Sequence, residues 1–209
     1  MFFYKNHYTA MSQYPKAKFI LSANDPMQFI RDEGAEIAFA GRSNSGKSSA
    51  INVIVNRRQF ARTSKIPGRT QLINFFELAD KKRIVDLPGY GFARVNESVK
   101  EHWGRLLSYY FENRKCLQGL FLIVDIRRGL TEYDRNMLFF AKLQNISIHI
   151  LLTKADKVKR RIAKETMIEV KIELEGSATV QLFSSLKRQG LNEAREVMEK
   201  FLSHNTELI

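Results

Sequence analysis

The sequence predicts a three-layer α/β fold, a mostly parallel six-stranded sheet with helices on both faces. Three observations carry that expectation. Short apolar runs of strand length alternate along the chain with amphipathic segments. The first core run turns through a glycine-rich stretch, Gly41 to Ser48, directly into a helical pattern. Finally, 209 residues of which 44% are hydrophobic bury roughly 70% of the surface an unfolded chain exposes, so no disulfide or metal staple is needed.

In chain order, residues 1–16 have no clear period and close at Pro15, so they are expected to form a flexible N-terminal arm ahead of one domain over 17–209. Strands are expected at Glu36 to Ala40, Leu72 to Leu78, Arg83 to Asp86, Leu120 to Asp125, Ser147 to Thr153 and Thr179 to Phe183, with Phe19 to Ser22 as a candidate extra edge strand. Ser45 to Val55 reads as a helix. Ser98-Val-Lys-Glu101 and Thr131-Glu-Tyr-Asp134 are capping-box patterns opening two more, ahead of Trp103, Leu106, Leu107 and Tyr110 and of Met137, Leu138 and Ala141. Leu191, Ala194, Val197, Met198, Phe201 and Leu202 form the apolar stripe of the last helix. Arg57 to Thr70, basic and broken by Pro67-Gly68, is a long loop, and a long loop in a small domain is usually functional.

Several classes are disfavoured. Cys116 is the single cysteine, and His7, His102, His149 and His204 show no ligand spacing, so zinc staples and an oxidising compartment do not fit. No apolar signal segment or membrane-length run occurs, which leads to a cytoplasmic expectation. With 34 Lys and Arg against 22 Asp and Glu, the net charge is +12. On charge alone, plain solubility and a polyanionic partner both remain open.

The chemistry lies in four motifs. Gly41-Arg42-Ser43-Asn44-Ser45-Gly46-Lys47-Ser48 matches G-x-x-x-x-G-K-[ST] between a strand and a helix, and a chance match in such a chain has odds of about 1%. Its backbone N–H groups curl around a polyphosphate at the positive end of a helix. Lys47 is suited to the β and γ phosphates and Ser48 to Mg²⁺. Asp86-Leu87-Pro88-Gly89 puts an acid at the C-terminal end of a strand, where ligands bind in α/β folds, and Asp86 suits a metal-bound water. Thr153-Lys154-Ala155-Asp156 separates guanine from adenine, because a carboxylate accepts from guanine N1–H and the 2-amino group while adenine offers an acceptor at N1. Phe183-Ser184-Ser185 follows another strand and can present a backbone N–H to the guanine oxygen.

These stretches, with EIAFAGRSN, PGRTQ and DIRRG, closely resemble the EngB/YihA (YsxC) family of small bacterial GTPases, part of the TrmE-Era-EngA-YihA-Septin-like class, over about Phe19 to Leu202. The resemblance implies the P-loop NTPase fold of the small G-protein type and Mg²⁺-dependent binding and slow hydrolysis of GTP to GDP. It also implies a role in large ribosomal subunit assembly, contact with ribosomal RNA and proteins, a link to normal cell division and septation, and a monomer. Carried over residue by residue, it gives Gly41 to Ser48 to the phosphates, Thr70 of Gly68-Arg69-Thr70-Gln71-Leu72 to Mg²⁺ and the γ phosphate, and Asp86 to Gly89 to the metal side. Thr153 to Asp156 and Phe183 to Ser185 go to the guanine. Thr153 stands where the wider class has Asn, which points to looser base binding. Catalytic roles fall to Lys47, Thr70 and Asn44; related GTPases use an Asn at the position of Asn44 to ligate K⁺, while a purely loop-stabilising Asn44 is equally compatible.

Tyr90 occupies the position where many regulatory GTPases place a water-orienting Gln, so intrinsic turnover is expected to be slow. Tyr90-Gly91-Phe92-Ala93 reads as a mobile, partner-facing switch. Two loops, Asn56 to Thr70 and Leu87 to about Glu97, are expected to respond to the γ phosphate. Arg57, Arg58, Arg62, Lys65 and Arg69, and Lys157, Lys159, Arg160, Arg161 and Lys164, form basic clusters suited to RNA. Two rivals remain: an ATP-dependent P-loop enzyme, against which Asp156 argues, and an RNA-binding module whose nucleotide site is only structural.

Overall fold

Strict alternation in the central strands sends successive side chains to opposite faces of a sheet, and both faces are covered. A computed structural model describes residues 14–61, 72–91 and 97–203. Its strands are β1 (Lys18–Ala23), β2 (Ala35–Gly41), β3 (Ile73–Ala79), β4 (Lys82–Asp86), β5 (Leu117–Asp125), β6 (Ser147–Thr153) and β7 (Thr179–Leu182). The helices are α1 (Lys47–Val55), α2 (Glu97–Asn113), α3 (Glu132–Leu143), α4 (Arg160–Leu174) and α5 (Leu191–Ser203). The sheet order is β1-β3-β4-β2-β5-β6-β7. β3 runs antiparallel to both of its neighbours, and the remaining pairs are parallel.

From β2, Ala38 and Ala40 join Leu106, Tyr110 and Met137 on one face, while Ile37 and Phe39 join Ile51, Met198 and Phe201 on the other. β5 divides in the same way, Leu120 and Leu122 against Phe121 and Ile123. Fully buried parallel strands read as continuous apolar runs for this reason.

The expected six strands become seven. The candidate edge strand at Phe19 to Ser22 is real and pairs antiparallel with β3. Its residues Lys18 to Ile20 are exposed, so it lacks the apolar signal of a central strand. Ser98 lies inside α2, which begins at Glu97, rather than capping it. The second capping box is present: Thr131 Oγ1 accepts from Asp134 N, and Thr131 N donates to Asp134 Oδ2 at 2.8 Å. Of the expected arm, residues 1–13 lie outside the described residues; Tyr14 is buried and donates to Glu199 of α5. Among the described residues no helix is long and apolar enough to cross a membrane.

Candidate functional site

The C-terminal ends of β2, β4, β5 and β6 meet at one edge of the sheet, the edge where open α/β folds bind ligands. Gly41 ends β2 and leads into the loop Arg42 to Gly46, with Gly46 at the N-cap of α1. A Cβ at Gly41 would lie 2.6 Å from the Ile123 carbonyl oxygen and 2.8 Å from Ser45 Oγ, so only glycine permits this approach to β5. Asn44 is exposed at φ 64°, a left-handed conformation that Asn tolerates. Ser45 is buried, and its Oγ has no hydrogen-bond partner among the described residues.

Lys47 at the start of α1 and Asp86 at the end of β4 form an ion pair, each side chain about nine-tenths buried. Ser48 follows Lys47 in the first turn of α1. Leu87 is buried and donates its N–H to Phe39 O, and Pro88 and Gly89 continue across the mouth, with Gly89 against the Ser43 backbone. Thus Lys47 and Asp86 come together, with Ser48 next to Lys47 in the chain. Leu72 immediately precedes β3; Gly68, Arg69, Thr70 and Gln71 lie outside the described residues, as do Arg62, Lys65, Phe92 and Ala93.

The second half of the site follows β6. Thr153 is buried and its Oγ1 lies 2.5 Å from Ser45 O and 3.0 Å from Val124 O. Lys154, in a left-handed conformation at φ 59°, donates from Nζ to Asn44 O at 2.6 Å and to Asp125 Oδ2 at 2.9 Å. Ala155 N donates to Phe183 O, joining the loops after β6 and β7. Ser184 Oγ then donates to Asp156 Oδ1 at 2.5 Å, and this bond leads in holding the Asp156 carboxyl below the usual range. The other Asp156 oxygen is 3.7 Å from Lys157 Nζ. Ser184 N–H is given to Gln189 O at 3.1 Å.

Sequence reasoning assigned no role to Asp125. At the end of β5 it accepts from Lys154 and from Arg127 Nε and Nη2, at 2.9 and 2.6 Å. Burial alone raises its pKa, but these donors hold the carboxyl well below the usual range. The bridge Asp125–Lys154–Asn44 O ties the loop after β6 to the loop Arg42 to Gly46. The signal was present in DIRRG, but the pairing of Asp125 with Lys154 spans 29 residues.

Two expectations need correction. Tyr90 does not face outward: it is 4% exposed, and its hydroxyl donates to Asp134 Oδ1 at 2.5 Å. Arg57 is committed to the chain, donating to Pro15 O and Ala17 O. His149 and Cys116 are packed inside the fold: His149 sits between Thr179 Oγ1 and Gln181 Oε1, and burial pushes the Cys116 thiol up to about 12.

Residues 36–154, more than half of the chain, match the family described as 50S ribosome-binding GTPase. The curated Probable GTP-binding protein EngB of Hydrogenovibrio crunogenus is 49% identical over 194 residues, spanning 91% of this chain and 92% of that protein. The chain belongs to the EngB family of GTP-binding proteins. The EngB protein of Coxiella burnetii agrees, at 48% identity over 191 residues, 90% of this chain and 93% of that one. A crystal structure of a probable GTP-binding protein engB superposes with a TM-score of 0.67 at 23% identity, covering 82% of this chain and all of that one, which bears on the fold. A structure of Era in complex with MgGDPNP and a 16S ribosomal RNA fragment has the same fold, with a TM-score of 0.61 at 16% identity, covering 82% of this chain and 57% of that one. As a member of this family, the chain is a P-loop GTPase that binds GTP and GDP.

Proposed function

We propose that this EngB-type GTPase is a Mg²⁺-dependent switch that hydrolyses GTP slowly and acts in assembly of the large ribosomal subunit, with a consequent link to cell division and septation. The observation that carries the reading is the Asp125–Lys154–Asn44 bridge. It joins a loop suited to phosphates to a carboxylate, Asp156, suited to guanine, so one guanine nucleotide spans both.

In this reading the N–H groups of Gly41 to Ser48 cradle the phosphates, and Lys47 leaves Asp86 for the β and γ phosphates. A hard divalent cation takes oxygen ligands, and the donors present fit: Ser48 Oγ and the Asp86 carboxylate at the mouth, with Thr70 the assigned third. Mg²⁺, when bound, neutralises charge on the phosphate oxygens. Thr153 to Asp156 and Phe183 to Ser185 hold the base, with Ser184 orienting Asp156 through its hydroxyl. No described side chain next to Gly89 can orient water as Gln does, because the Tyr90 hydroxyl is committed to Asp134. Slow intrinsic turnover follows, and K⁺ beside Asn44 is the candidate activator.

Ribosome association is supported by the family description and by charge. Lys157, Lys159, Arg160, Arg161 and Lys164 are exposed after β6, and Lys187 and Arg188 are exposed after β7. The Ser184–Asp156 and Ala155–Phe183 bonds put the two loops side by side, so their cations form one basic rim for RNA phosphates on a cytoplasmic monomer.

The test is co-sedimentation with separated large and small ribosomal subunits in a GTP analogue, in GDP and without nucleotide, across a salt series, with hydrolysis followed in K⁺ and in Na⁺. Binding to the large subunit with the analogue, weakening steeply with salt, is expected. Equal binding in all three states favours an RNA-binding module with a structural nucleotide site, and no binding removes the ribosomal reading.

A further inference from the structure

Tyr90 is joined to the rest of the molecule at three places. Its main-chain oxygen accepts from Ser43 N at 2.9 Å, in a bridge between Arg42 and Tyr90 that fastens it to the phosphate loop. Its ring sits near Trp103 of α2 and Tyr133 of α3, at centroid distances of 6.4 and 6.2 Å. Its hydroxyl donates to Asp134 Oδ1. Asp134 is 2% exposed, and its other oxygen, Oδ2, accepts from Thr131 N and Thr131 Oγ1 at 2.8 and 2.6 Å. Among the described residues, Tyr90 supplies the side-chain donor to Oδ1 of this buried carboxylate and Thr131 the donors to Oδ2.

A buried acceptor stripped of its donor costs its desolvation, so Tyr90 resists leaving. Glycines flank it in the chain. Gly89 precedes it, and Gly91 follows at φ 78°, with Arg42 packed where a Cβ would stand. We propose that the Tyr90–Asp134 bond is a pin that fixes the segment after Asp86 to α3, about which that segment pivots, and so sets Gly89 against the phosphate loop in readiness for a γ phosphate. Tyr90 and Asp134 are thus positioning residues, and the N-terminus of α3 becomes mechanically part of the nucleotide switch.

The pin acts on the part of the nucleotide that only GTP has, because the γ phosphate is what orders the segment after the D-x-x-G acid. GDP needs little from it. The inference rests on the chain's binding of guanine nucleotides, so wild-type affinities for GDP and a non-hydrolysable GTP analogue are measured first. Failure there removes the nucleotide reading together with the pin.

Given wild-type binding, Tyr90→Phe keeps the ring and removes the hydroxyl. The expected result is analogue affinity about 10-fold weaker, the scale of one hydrogen bond to a charged group, with GDP affinity within about 2-fold. Hydrogen exchange at the amides of residues 86–91 should also quicken. Asp134→Ala should shift the analogue-to-GDP ratio in the same direction, and the double variant should be no worse than the single ones. Thr131→Ala, which loosens the cap of α3 and leaves the Tyr90–Asp134 bond in place, should lower the melting temperature without moving the ratio. A Tyr90→Phe variant that binds both nucleotides as the wild type does, or loses both equally, overturns the proposal.

Discussion

At the N-terminal edge of the sheet, Glu36 is fully buried and closed on all sides. Arg114 grips it bidentately at 3.1 and 2.9 Å, Tyr110 donates to it at 2.7 Å, and Arg83 lies alongside at 3.3 Å. Asp32 completes the edge by accepting from Lys115 N and Cys116 N. At the opposite edge, among the described residues, Lys47 and Asp86 have only each other and Ser45 Oγ has no hydrogen-bond partner. Both edges bury charge, but the Glu36 carboxylate is ringed by Tyr110 and two guanidinium groups, with Arg83 Nε paired to it by charge and not by a hydrogen bond, whereas Lys47 and Asp86 form a single pair at the C-terminal ends of the strands. A closed network rigidifies the end that nothing enters; an incomplete one leaves binding energy for a ligand to supply.

The largest way to break this contrast is Glu36→Ala. It strands two buried guanidinium groups, and removing one partner of a buried ion pair costs about 3–5 kcal/mol. Denaturant unfolding should show that loss, while GDP affinity of the folded fraction stays unchanged; a loss of affinity with intact stability would mean the two edges are coupled.

The middle effect is at the mouth. In the proposed site Asp156 accepts from the guanine edge, so Asp156→Asn tests that role by removing the charge, and hydrogen bonds to charged groups are worth about 1.5–3 kcal/mol. Guanine nucleotide affinity should fall about 10- to 150-fold with stability nearly unchanged, the reverse of Glu36→Ala. Preference for GTP over ATP in competition should fall with it.

The smallest effect lies between the edges, at His149. Burial depresses its pKa from 6.5, so the unfolded chain binds the proton more readily. Stability is therefore full above the unfolded value and falls as pH drops below it toward the folded one. His149→Gln should flatten the stability profile in that window. The depressed Asp125 acts with the same sign below the unfolded carboxylate value of 3.8, so the two are separable by pH.

Local patterns made most of the fold legible. The central strands stand within a few residues of their expected positions because their apolar runs are buried on both faces, and α3 opens at its Thr131 capping box. β1 was legible only as a candidate, because exposed Phe19 and Ile20 carry no clear alternation at a sheet edge. Ser98 misled because the same four-residue pattern also occurs within a helix. Tyr90 misled because its position in the motif says nothing about where its side chain goes.

The sequence by itself determined the family and, with it, the class of ligand, a guanine nucleotide. The motifs that carry the resemblance are contiguous runs, so their spelling and spacing are recorded in the sequence alone. Only the tertiary structure decided the pairings: Glu36 with Arg114 across 78 residues, Lys154 with Asp125 across 29, and Tyr90 with Asp134 across 44. Such contacts arise from which strands become neighbours and how helices return onto the sheet, a three-dimensional choice that no local periodicity records.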